Sequence, residues 1–396
     1  MGKIEVVIGA DVCMSYLHQP VDAPYCRRLL APVKPILDDA DFRIADLESP
    51  LCAEGVGAKI PKSGPNLRAD PQNIAFLTEG GFDCAILANN HFGDYGEPAI
   101  ASTLDILGKN RIAALGGGMN VGEAYRAWYA EKDGIRIAFL AVCENEFGCA
   151  TEDRAGAAGF SLKRLRDRMV EEKQNSDFLV ILFHGGNEYD PFPSPETVDR
   201  YRLLIDLGAD ALVAMHTHCM QGYETYGGKP IIYSMGNFFF PQEPYKDGDS
   251  WNYGYLTALT FQKGKSVTFA VHPYILRDNN AVLHLCAGDE KAKMLAYLDK
   301  ISAVIRDPVA LRRYFRAWCV MSGAHYAKTG LSYTSDFEAG GLTAEQKSAL
   351  ARTRNLFWCE AHAGLMRGLL ALELEGGIED ARADMDALKA YSVMPV

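Results

Sequence analysis

The sequence lacks the basic excess that is typical of nucleic-acid-binding proteins. Its 396 residues include 40 Lys and Arg against 51 Asp and Glu, which gives a formal net charge of −11. General nucleic-acid binders carry clustered positive charge, so this class is excluded, while a local basic pocket for a small anion stays open. Hydrophobic residues make up 48% and charged residues 23%, which is the composition of a globular protein.

Long apolar runs are also missing. No stretch approaches the about 18 consecutive apolar residues of a membrane-spanning helix, and the run at 4–8 is interrupted by Gly9 and Asp11. A secretory leader has a longer apolar core and a cleavage site with small residues. We therefore expect no signal peptide, no membrane span and a cytoplasmic location. The ten cysteines form no Cys-x-x-Cys pair, which favours reduced thiols over a disulfide framework.

Short apolar runs alternate with helical patterns through the first part of the chain. The runs predict strands, and the amphipathic spacing between them predicts helices. The predicted strands are 4–8, 42–47, 83–87, 135–142, 178–183 and 211–215, and the predicted helices are 25–38, 71–78, 97–107, 162–172 and 198–207. This alternation predicts an α/β core, a layered sheet structure with helices on its faces.

The pattern changes after residue 215. Four consecutive predicted strands follow at 222–226, 229–234, 255–261 and 267–275, and they indicate an antiparallel sheet packed on the core. From about residue 289 the spacing is helical, and Thr343 and Gln346 form a capping box. We therefore predict a core domain at 1–280 and a helical C-terminal extension at 281–396. We expect this extension to pack on the core and to carry no metal ligand, so that its histidines, His284, His325 and His362, are structural.

Polar side chains follow the predicted strands at the point where each strand ends. These residues are Asp11, Glu48, Asn90, His91, His184, His216 and His218. Sites in open α/β sheets form at the carboxyl ends of strands, and all of these residue types bind metals. If the strand conformation continues, His216 and His218 point the same way. The alternatives are surface histidines, a helix cap at Asp11 and a surface carboxylate at Glu48.

Several segments together resemble a known family. They are IGADVCMS, ADLESPL, GFDCAILANNHFGDYG, LFHGGNEYDPFPSPE and LIDLGADALVAMHTHCMQGYETYGGKPIIYSMGNFFF. The set is similar to the bacterial capsule synthesis family CapA, also called PgsA, which is associated with poly-γ-glutamate. That family looks like a branch of the calcineurin-like metallophosphatase fold. The resemblance covers about the first 270 residues and leaves the C-terminal helices out.

The resemblance implies a role for each strand-end residue. Asp11 matches the first metal-binding Asp, and Glu48 takes the place of the bridging Asp. Asn90, His184, His216 and His218 match the remaining ligands, while His91 matches the residue near the leaving group. The implied cofactor is one or two divalent ions, with zinc, manganese or iron as the candidates.

The chain departs from the family pattern in several places. Ala10 precedes Asp11 where the family usually has Gly, and Asp46 stands where the family has the Asn of an Asn-Leu-Glu motif. Cys13 stands where metallophosphatases commonly have His, and it is either a ligand or a core thiol. Met215 and Thr217 stand where the family usually has His and Pro, so one outer histidine is missing.

Further residues around these motifs are candidates for substrate contact and proton transfer. His91 is a candidate general acid, and Asp94 either orients it or caps the following helix. Lys62 and Arg68 either bind an anionic substrate group or are solvated surface charges. Glu188 follows a strand end and is expected to line the pocket. Asn237 either contacts a ligand or caps a turn. The loop at 242–252 either covers the site or is a surface connection.

Three functions are consistent with these residues. The first is a metal-dependent, phosphoesterase-like hydrolase that acts on an anionic small molecule or polymer. The second is a capsule or polyglutamate assembly factor that binds an anionic polymer without turnover. The third is a structural relative with a vestigial site, against which the retained set of polar residues argues. The sequence identifies no nucleic-acid partner and does not predict an oligomeric state.

Overall fold

The computed structural model describes residues 2–15, 21–331 and 343–396, with the side chains of 324, 325, 327–331 and 344 left out. Within these ranges the chain forms strands β1–β16 and helices α1–α13, together with short 3₁₀ turns. The strands are β1 Ile4–Val12, β2 Phe42–Leu47, β3 Cys84–Ile86, β4 Ala113–Leu115, β5 Gly117–Gly118, β6 Trp128–Lys132, β7 Ile135–Cys143, β8 Gly156–Ala157, β9 Phe178–His184, β10 Ala211–Met215, β11 Tyr223–Tyr226, β12 Lys229–Ile232, β13 Asn237–Phe239, β14 Tyr253–Phe261, β15 Thr268–Arg277 and β16 Val282–Leu285. The helices are α1 Ala23–Leu30, α2 Lys34–Asp39, α3 Ala75–Gly80, α4 Gly96–Lys109, α5 Val121–Ala124, α6 Leu162–Asn175, α7 Pro195–Asp206, α8 Gly288–Ile305, α9 Pro308–Leu331, α10 Ala344–Trp358, α11 Glu360–Glu375, α12 Ile378–Ala383 and α13 Met385–Lys389.

Two mixed sheets form the core. One has eight strands, in the order β16-β15-β14-β1-β2-β3-β4 with β13 paired to β1, and the other has six, in the order β11-β12-β10-β9-β7-β6. Strands β1 to β4 are parallel neighbours, as are β7, β9, β10 and β12. Buried apolar residues of both sheets belong to one continuous hydrophobic cluster, and Phe178 of β9 meets Phe261 of β14 with ring centroids 5.4 Å apart. Each sheet therefore supplies one set of parallel carboxyl ends.

Helices cover the sheets and extend the molecule. Helices α6 and α7 pack on the six-stranded sheet, and α1 and α4 pack against β16 and β4 of the other sheet. Helix α8 packs on β11 and β15, and α9 contacts α7 and the other C-terminal helices. The predicted layered α/β core and helical C-terminal extension are thus confirmed. Among the described helices, none combines the length and apolar character needed to cross a bilayer.

Several predicted elements agree with the structure. Strands β2 and β10 have the predicted bounds. The helix predicted at 71–78 corresponds to a 3₁₀ turn at Pro71–Ile74 followed by α3, and the Asp70 carboxylate caps this turn by accepting a hydrogen bond from Gln72 N at 2.9 Å. Thr343 and Gln346 form the predicted capping box at the start of α10. These features depend on residues near one another in sequence, so local patterns predict them well.

Other expectations are wrong. The strands after residue 215 do not form a separate antiparallel sheet, because β12 pairs in parallel with β10 and β14 pairs with β1. They extend both existing sheets and satisfy the backbone groups at those edges. The helix predicted at 25–38 is two helices, since Pro32 and Pro35 both lack the N–H that a continuous helix needs. The boundary predicted at residue 280 stays a prediction; strand β16 follows it, and the first C-terminal helix begins at Gly288.

The aromatic cluster around Phe76 supports the strands that carry the candidate site. Phe76 of α3 is fully buried, and its ring lies 5.3 Å from that of Phe239 and 5.6 Å from that of Phe238. We expect Phe76→Ala to lower the free energy of unfolding by about 3–5 kcal/mol, the usual cost of a large aromatic cavity. Phe357→Ala is the matched control, because Phe357 is 77% exposed. Denaturant unfolding measures both, and equal losses would contradict this account of the core.

Candidate metal centre

The carboxyl ends of the two sheets meet at one cluster of buried polar side chains. Asp11 lies in β1 opposite Asp46 of β2, and Glu48 follows two residues later. The second sheet contributes His184 at the end of β9 and His216 directly after β10. These five side chains are all buried. The sheets therefore bring residues far apart in sequence into one enclosed space.

The first group of donor atoms contains Asp11, Glu48 and His218. One donor atom from each lies within 4.8 Å of the others. His218 Nδ1 is 3.6 Å from Asp11 Oδ2, and His218 Nε2 is 3.9 Å from Glu48 Oε1. The spacing fits one shared cation.

The second group contains Glu48, His184 and His216, again within 4.8 Å of one another. His184 Nε2 is 3.0 Å from His216 Nδ1 and 3.8 Å from Glu48 Oε1. Asn90 adds its side-chain oxygen, which lies 3.1 Å from His184 Nε2. Since Glu48 belongs to both groups, it occupies a bridging position. The structure thus brings together all six residues predicted as ligands.

The charges of this cluster fit one or two divalent ions. Asp11 Oδ1 and both carboxylate oxygens of Glu48 are buried without a hydrogen-bond partner in the protein. Burial, together with the neighbouring carboxylates of Asp11 and Asp46, raises the pKa of Glu48 well above its usual range. Unpaired buried carboxylates are costly, and a divalent cation removes that cost. Oxygen and imidazole donors suit zinc, manganese and iron.

Two of the histidines, His184 and His216, are held in the neutral form by burial. Burial lowers the pKa of His184 to about 4 and lowers that of His216 well below its usual value. Neutral imidazoles are the form that binds metals. Asp46 Oδ2 lies 2.6 Å from His184 Nδ1, and Asn237 Oδ1 lies 2.9 Å from His218 Nδ1. With these nitrogens donating, each Nε2 faces the cluster, the arrangement usual for metal-binding histidines.

Asp46 is a further buried member of the cluster that the strand-end pattern does not single out. It is fully buried, and its other oxygen accepts a 2.8 Å hydrogen bond from the Asn89 side chain. Asp46 also forms a close group with Asp11 and His184. The available signal was its place two residues before Glu48, since alternate residues of a strand share a face.

The backbone at the two ligand histidines differs from the expected strand. Strand β10 ends at Met215, and His216 and His218 have φ values of 105° and 54°. Non-glycine residues rarely adopt positive φ, and such residues cluster at functional sites. The expected continuation of the strand through His216 and His218 is therefore wrong, although both imidazoles still face Glu48. Asp11 helps to hold this turn, because His216 N donates to its Oδ2 at 3.2 Å.

His91 lies beside both groups and is paired with Asp94. His91 Nδ1 is 2.7 Å from Asp94 Oδ2, and His91 Nε2 is 3.9 Å from Glu48 Oε1. The alternative of a helix cap at Asp94 is wrong, since Tyr95 stands at the cap position of α4 and no side chain bonds there. The pairing leaves Nε2 directed toward the cluster.

Lys62 is part of this pair rather than a solvated charge. Its side chain is 2% exposed, and Nζ lies 2.7 Å from Asp94 Oδ1. Nζ also donates to the backbone oxygen of Asn90 at 3.0 Å. The surface interpretation of Lys62 is therefore wrong, because Asp94 supplies the counter-charge that burial demands.

The remaining residues predicted to contact substrate lie around the polar cluster. Arg68 is half-buried and donates to the Cys52 carbonyl at 3.0 Å. Glu188 is exposed, yet its charge contributes to the raised pKa of Glu48. Asn237 is buried, and its side chain pairs with neighbours instead of capping a turn: its oxygen meets His218, and its Nδ2 donates to the Trp251 carbonyl at 3.0 Å. Its contact with a ligand stays a prediction.

The loop at 242–252 reaches the site through one aromatic residue. The Trp251 ring lies 4.5 Å from that of His218 and 5.9 Å from that of Tyr189. Cys13 packs in a small cluster with Trp251, and burial raises the pKa of its thiol to about 12. Cys13 is therefore a core thiol, and in the described part of the chain all ten cysteines are free.

Cys359 and His362 of the C-terminal region form a separate polar group with Glu146, which follows β7. Its atoms already have partners in the protein: Asn355 Nδ2 lies 2.9 Å from His362 Nδ1, and Cys359 Sγ donates to Glu144 at 3.5 Å. The absence of metal ligands in the extension stays a prediction. His284 pairs with Glu290 at 2.7 Å, and the His325 side chain lies outside the described residues.

The buried polar cluster lies in a segment of the chain that matches a known protein family. Residues 6–242 match the family described as Bacterial capsule synthesis protein PGA_cap. "Capsule biosynthesis protein CapA" of Bacillus anthracis is 30% identical over 249 residues, which cover 61% of this chain and 60% of that protein. "PGA biosynthesis protein CapA" of Bacillus subtilis (strain 168) is 28% identical over 236 residues, or 59% and 62% of the two chains. The chain thus matches less than two thirds of the length of these relatives.

A solved structure of a "novel phosphatase" from Mycoplasma pneumoniae is also similar. Its TM-score is 0.44 at 13% identity, with 69% of this chain and 94% of that chain covered. The segment matched by the family model contains all six predicted ligands together with His91, Asp94 and Asn237. Helices α8–α13 lie beyond it.

Replacing Asp46 tests its part in holding His184. Asp46→Ala removes the acceptor for His184 Nδ1, so metal affinity is expected to fall about 10–100-fold, the usual cost of losing such a partner. Asp46→Asn keeps an acceptor oxygen and is expected to retain most of the affinity. Titration of metal-depleted protein by calorimetry measures both. Asp105→Ala is the control, because Asp105 is exposed and pairs only with Lys109 among the described contacts. Unchanged affinity in Asp46→Ala would contradict the assignment.

Proposed function

The chain belongs to the bacterial capsule synthesis protein family, and we propose that it is a metal-dependent hydrolase of phosphoesterase type. One observation carries this proposal. Three buried carboxylate oxygens without partners face neutral imidazoles, and a buried His91–Asp94 pair lies directly beside them. A cation-binding cluster next to a proton donor is what metal-assisted hydrolysis requires.

The proposed ligands divide between two positions. Asp11, Glu48 and His218 would hold one ion, and Glu48, Asn90, His184 and His216 would hold the other. Divalent ions there would supply Lewis-acid activation of water and of a phosphoryl or acyl oxygen. Asp46 and Asn237 hold two of the imidazoles in place through their Nδ1 atoms.

His91 is the proposed general acid. Asp94 holds Nδ1 at 2.7 Å, so in the doubly protonated imidazolium form Nε2 is the atom that would pass a proton to a leaving oxygen on the side of Glu48. Lys62 fixes the same carboxylate at 2.7 Å, which keeps the imidazole in one orientation. Asn90 and His91 are neighbours whose side chains have different tasks, the first as a ligand and the second as an acid.

The proposed substrate is an anionic small molecule or polymer. The printed names of the relatives concern capsule and PGA biosynthesis, which supports a building block or product of such a polymer. Trp251 and Tyr189 stand beside His218 and form an aromatic margin to the site. The second candidate is an assembly factor that binds the polymer in the same cleft without turnover, and the names of the relatives favour it.

Turnover separates the two candidates. The full chain, loaded in turn with zinc, manganese and iron(II), is assayed against a generic phosphodiester, a phosphomonoester and a carboxylic ester, and its metal content is measured. Metal-dependent hydrolysis supports the hydrolase. Bound metal and polyglutamate binding without hydrolysis of any substrate class would favour the assembly factor instead.

Replacing His91 and His216 separates proton transfer from metal binding. His91→Gln is expected to keep its metal and to lower turnover by about 10²–10⁴-fold, the usual effect of losing a general acid. His216→Ala is expected to lose metal, since it removes a ligand atom from the second group. Metal analysis and initial rates on the same preparations measure both effects. Equal loss of metal in the two variants would make His91 a ligand and remove its role as acid.

A further inference from the structure

A pocket of about 420 Å³, the α10 pocket, lies between the core and helix α10, outside the candidate metal centre. Its walls include Gly93 and Glu97 near the start of α4, residues 146–149 after β7, and Arg354 and Trp358 of α10. None of the six proposed metal ligands is among the described residues that line it. Ligand-binding pockets usually have volumes of about 300–1,000 Å³, so this one has room for a ligand of its own.

The α10 pocket adjoins the residues that hold the proposed general acid. Gly93 lines it and directly precedes Asp94, and residues 60–61 line it and directly precede Lys62. Phe147 also lines the pocket, and Lys62 Nζ lies 5.5 Å from the centre of its ring. A ligand in the pocket would therefore lie one layer of side chains away from the Lys62–Asp94 pair.

Two guanidinium groups line the pocket and are accessible to a ligand. Arg154 and Arg354 are both exposed. Arg154 donates to the backbone oxygen of Cys149 at 3.0 Å, and Arg354 lies over the Phe147 ring, with its Cζ 5.9 Å from the ring centre. The described contacts of the two guanidiniums are thus a neutral carbonyl and an aromatic ring, neither of which cancels the positive charge. Since a guanidinium has five N–H donors, each keeps donors for a ligand.

Two carboxylates also line the pocket, and only one of them is accessible. The Glu146 side chain is 8% exposed, and its Oε1 accepts a 3.1 Å hydrogen bond from Asn355 Nδ2, with His362 Nδ1 3.5 Å away. Glu97 is exposed in the first turn of α4. The accessible charges among the described lining residues are thus two guanidiniums and one carboxylate. This local positive excess occurs in a chain with a net charge of −11, and it fits an anionic ligand.

We propose that the α10 pocket binds a segment of an anionic polymer, with Arg154 and Arg354 each holding one of its negative groups and Trp358 packing on the polymer chain. Guanidinium groups bind carboxylates and phosphates through paired hydrogen bonds. Trp358 is 64% exposed and supplies apolar contact area beside them. The inference rests on the proposed function for the class of ligand. It adds a second binding site, one wall of which lies beyond the segment that the family model matches.

The test titrates the full chain with fluorescently labelled polyglutamate and polyphosphate and follows binding by fluorescence anisotropy. A chelator is present, so that the polymers cannot bind through metal ions. The wild-type chain is expected to bind, with an affinity that falls as salt is added. Arg154→Gln and Arg354→Gln are each expected to weaken binding by about 10-fold, the scale of one lost hydrogen bond to a charged group. Glu97→Gln removes the accessible carboxylate and is expected to strengthen binding by about 2–5-fold.

Two matched controls separate the pocket from the rest of the α10 surface. Arg352→Gln removes an exposed guanidinium of the same helix, and Phe357→Ala removes an exposed ring beside Trp358; neither residue is among those that line the pocket. Both variants are expected to bind the polymers as the wild type does, whereas Trp358→Ala is expected to bind more weakly. Equal losses in Arg352→Gln and Arg354→Gln would show general attraction to surface charge and overturn the proposal. Melting temperatures check that each variant is folded.

The remaining outcomes also decide between the possibilities. A wild-type chain that binds neither polymer overturns this inference and leaves standing the proposed function, which metal content and turnover of small substrates test. Binding that both arginine variants leave unchanged overturns it as well, because the polymer then binds elsewhere. If the arginine variants weaken binding, tighter binding of polyglutamate identifies carboxylates as the negative groups and tighter binding of polyphosphate identifies phosphates, and either order supports the pocket. A chain that binds the polymers through the pocket but binds no metal supports the inference and overturns the metal-dependent hydrolase.

Discussion

The burial of Asp11, Asp46 and Glu48 in one enclosed space is the constraint on which the rest of the site depends. All three are fully buried, and moving a carboxylate out of water costs several kcal/mol even after the protein relaxes. Hydrogen bonds from Asn89 and His184 compensate for Asp46, but Glu48 receives none. A divalent cation at this point would remove the cost of burying such a carboxylate. The imidazoles of His184 and His216, whose pKa values burial lowers, face the same space.

This constraint explains why the two sheets must meet as they do. Asp11 and Glu48 come from one sheet, and His184, His216 and His218 come from the other, so no single sheet can build the cluster. Any shift between the sheets would separate the donor atoms while leaving the carboxylates buried. Metal binding at this cluster would therefore be coupled to the packing of the two sheets, as is common when a site is assembled only in the folded chain. The aromatic residues around Phe76 stabilise the part of the eight-stranded sheet that carries Asp11.

The sequence predicted what depends on local pattern. Strand β2, strand β10 and the capping box at Thr343 follow from residues close together in the chain. The expectation that sites form at the carboxyl ends of strands identified the polar residues of both sheets. The sequence could not predict the contacts between distant segments. From the sequence alone Lys62 cannot be told from a surface charge, because only the fold places Asp94 beside it. Asn237 likewise cannot be told from a turn residue, because only the fold places His218 beside it. The positive φ at His216 likewise depends on a bond to Asp11 from the other sheet.

The His91–Asp94–Lys62 arrangement bears on whether the cleft catalyses or only binds. A cleft that only binds an anionic polymer needs positive charge facing the polymer, but Lys62 turns its charge inward to Asp94. Taking that ion pair out of water is costly, and hydrophobic residues of similar volume would often stabilise the fold as well or better. A fixed imidazole beside a cation-binding cluster is useful mainly where a proton must be delivered at one point. The arrangement is therefore easier to understand as part of a hydrolytic site than as part of a passive one.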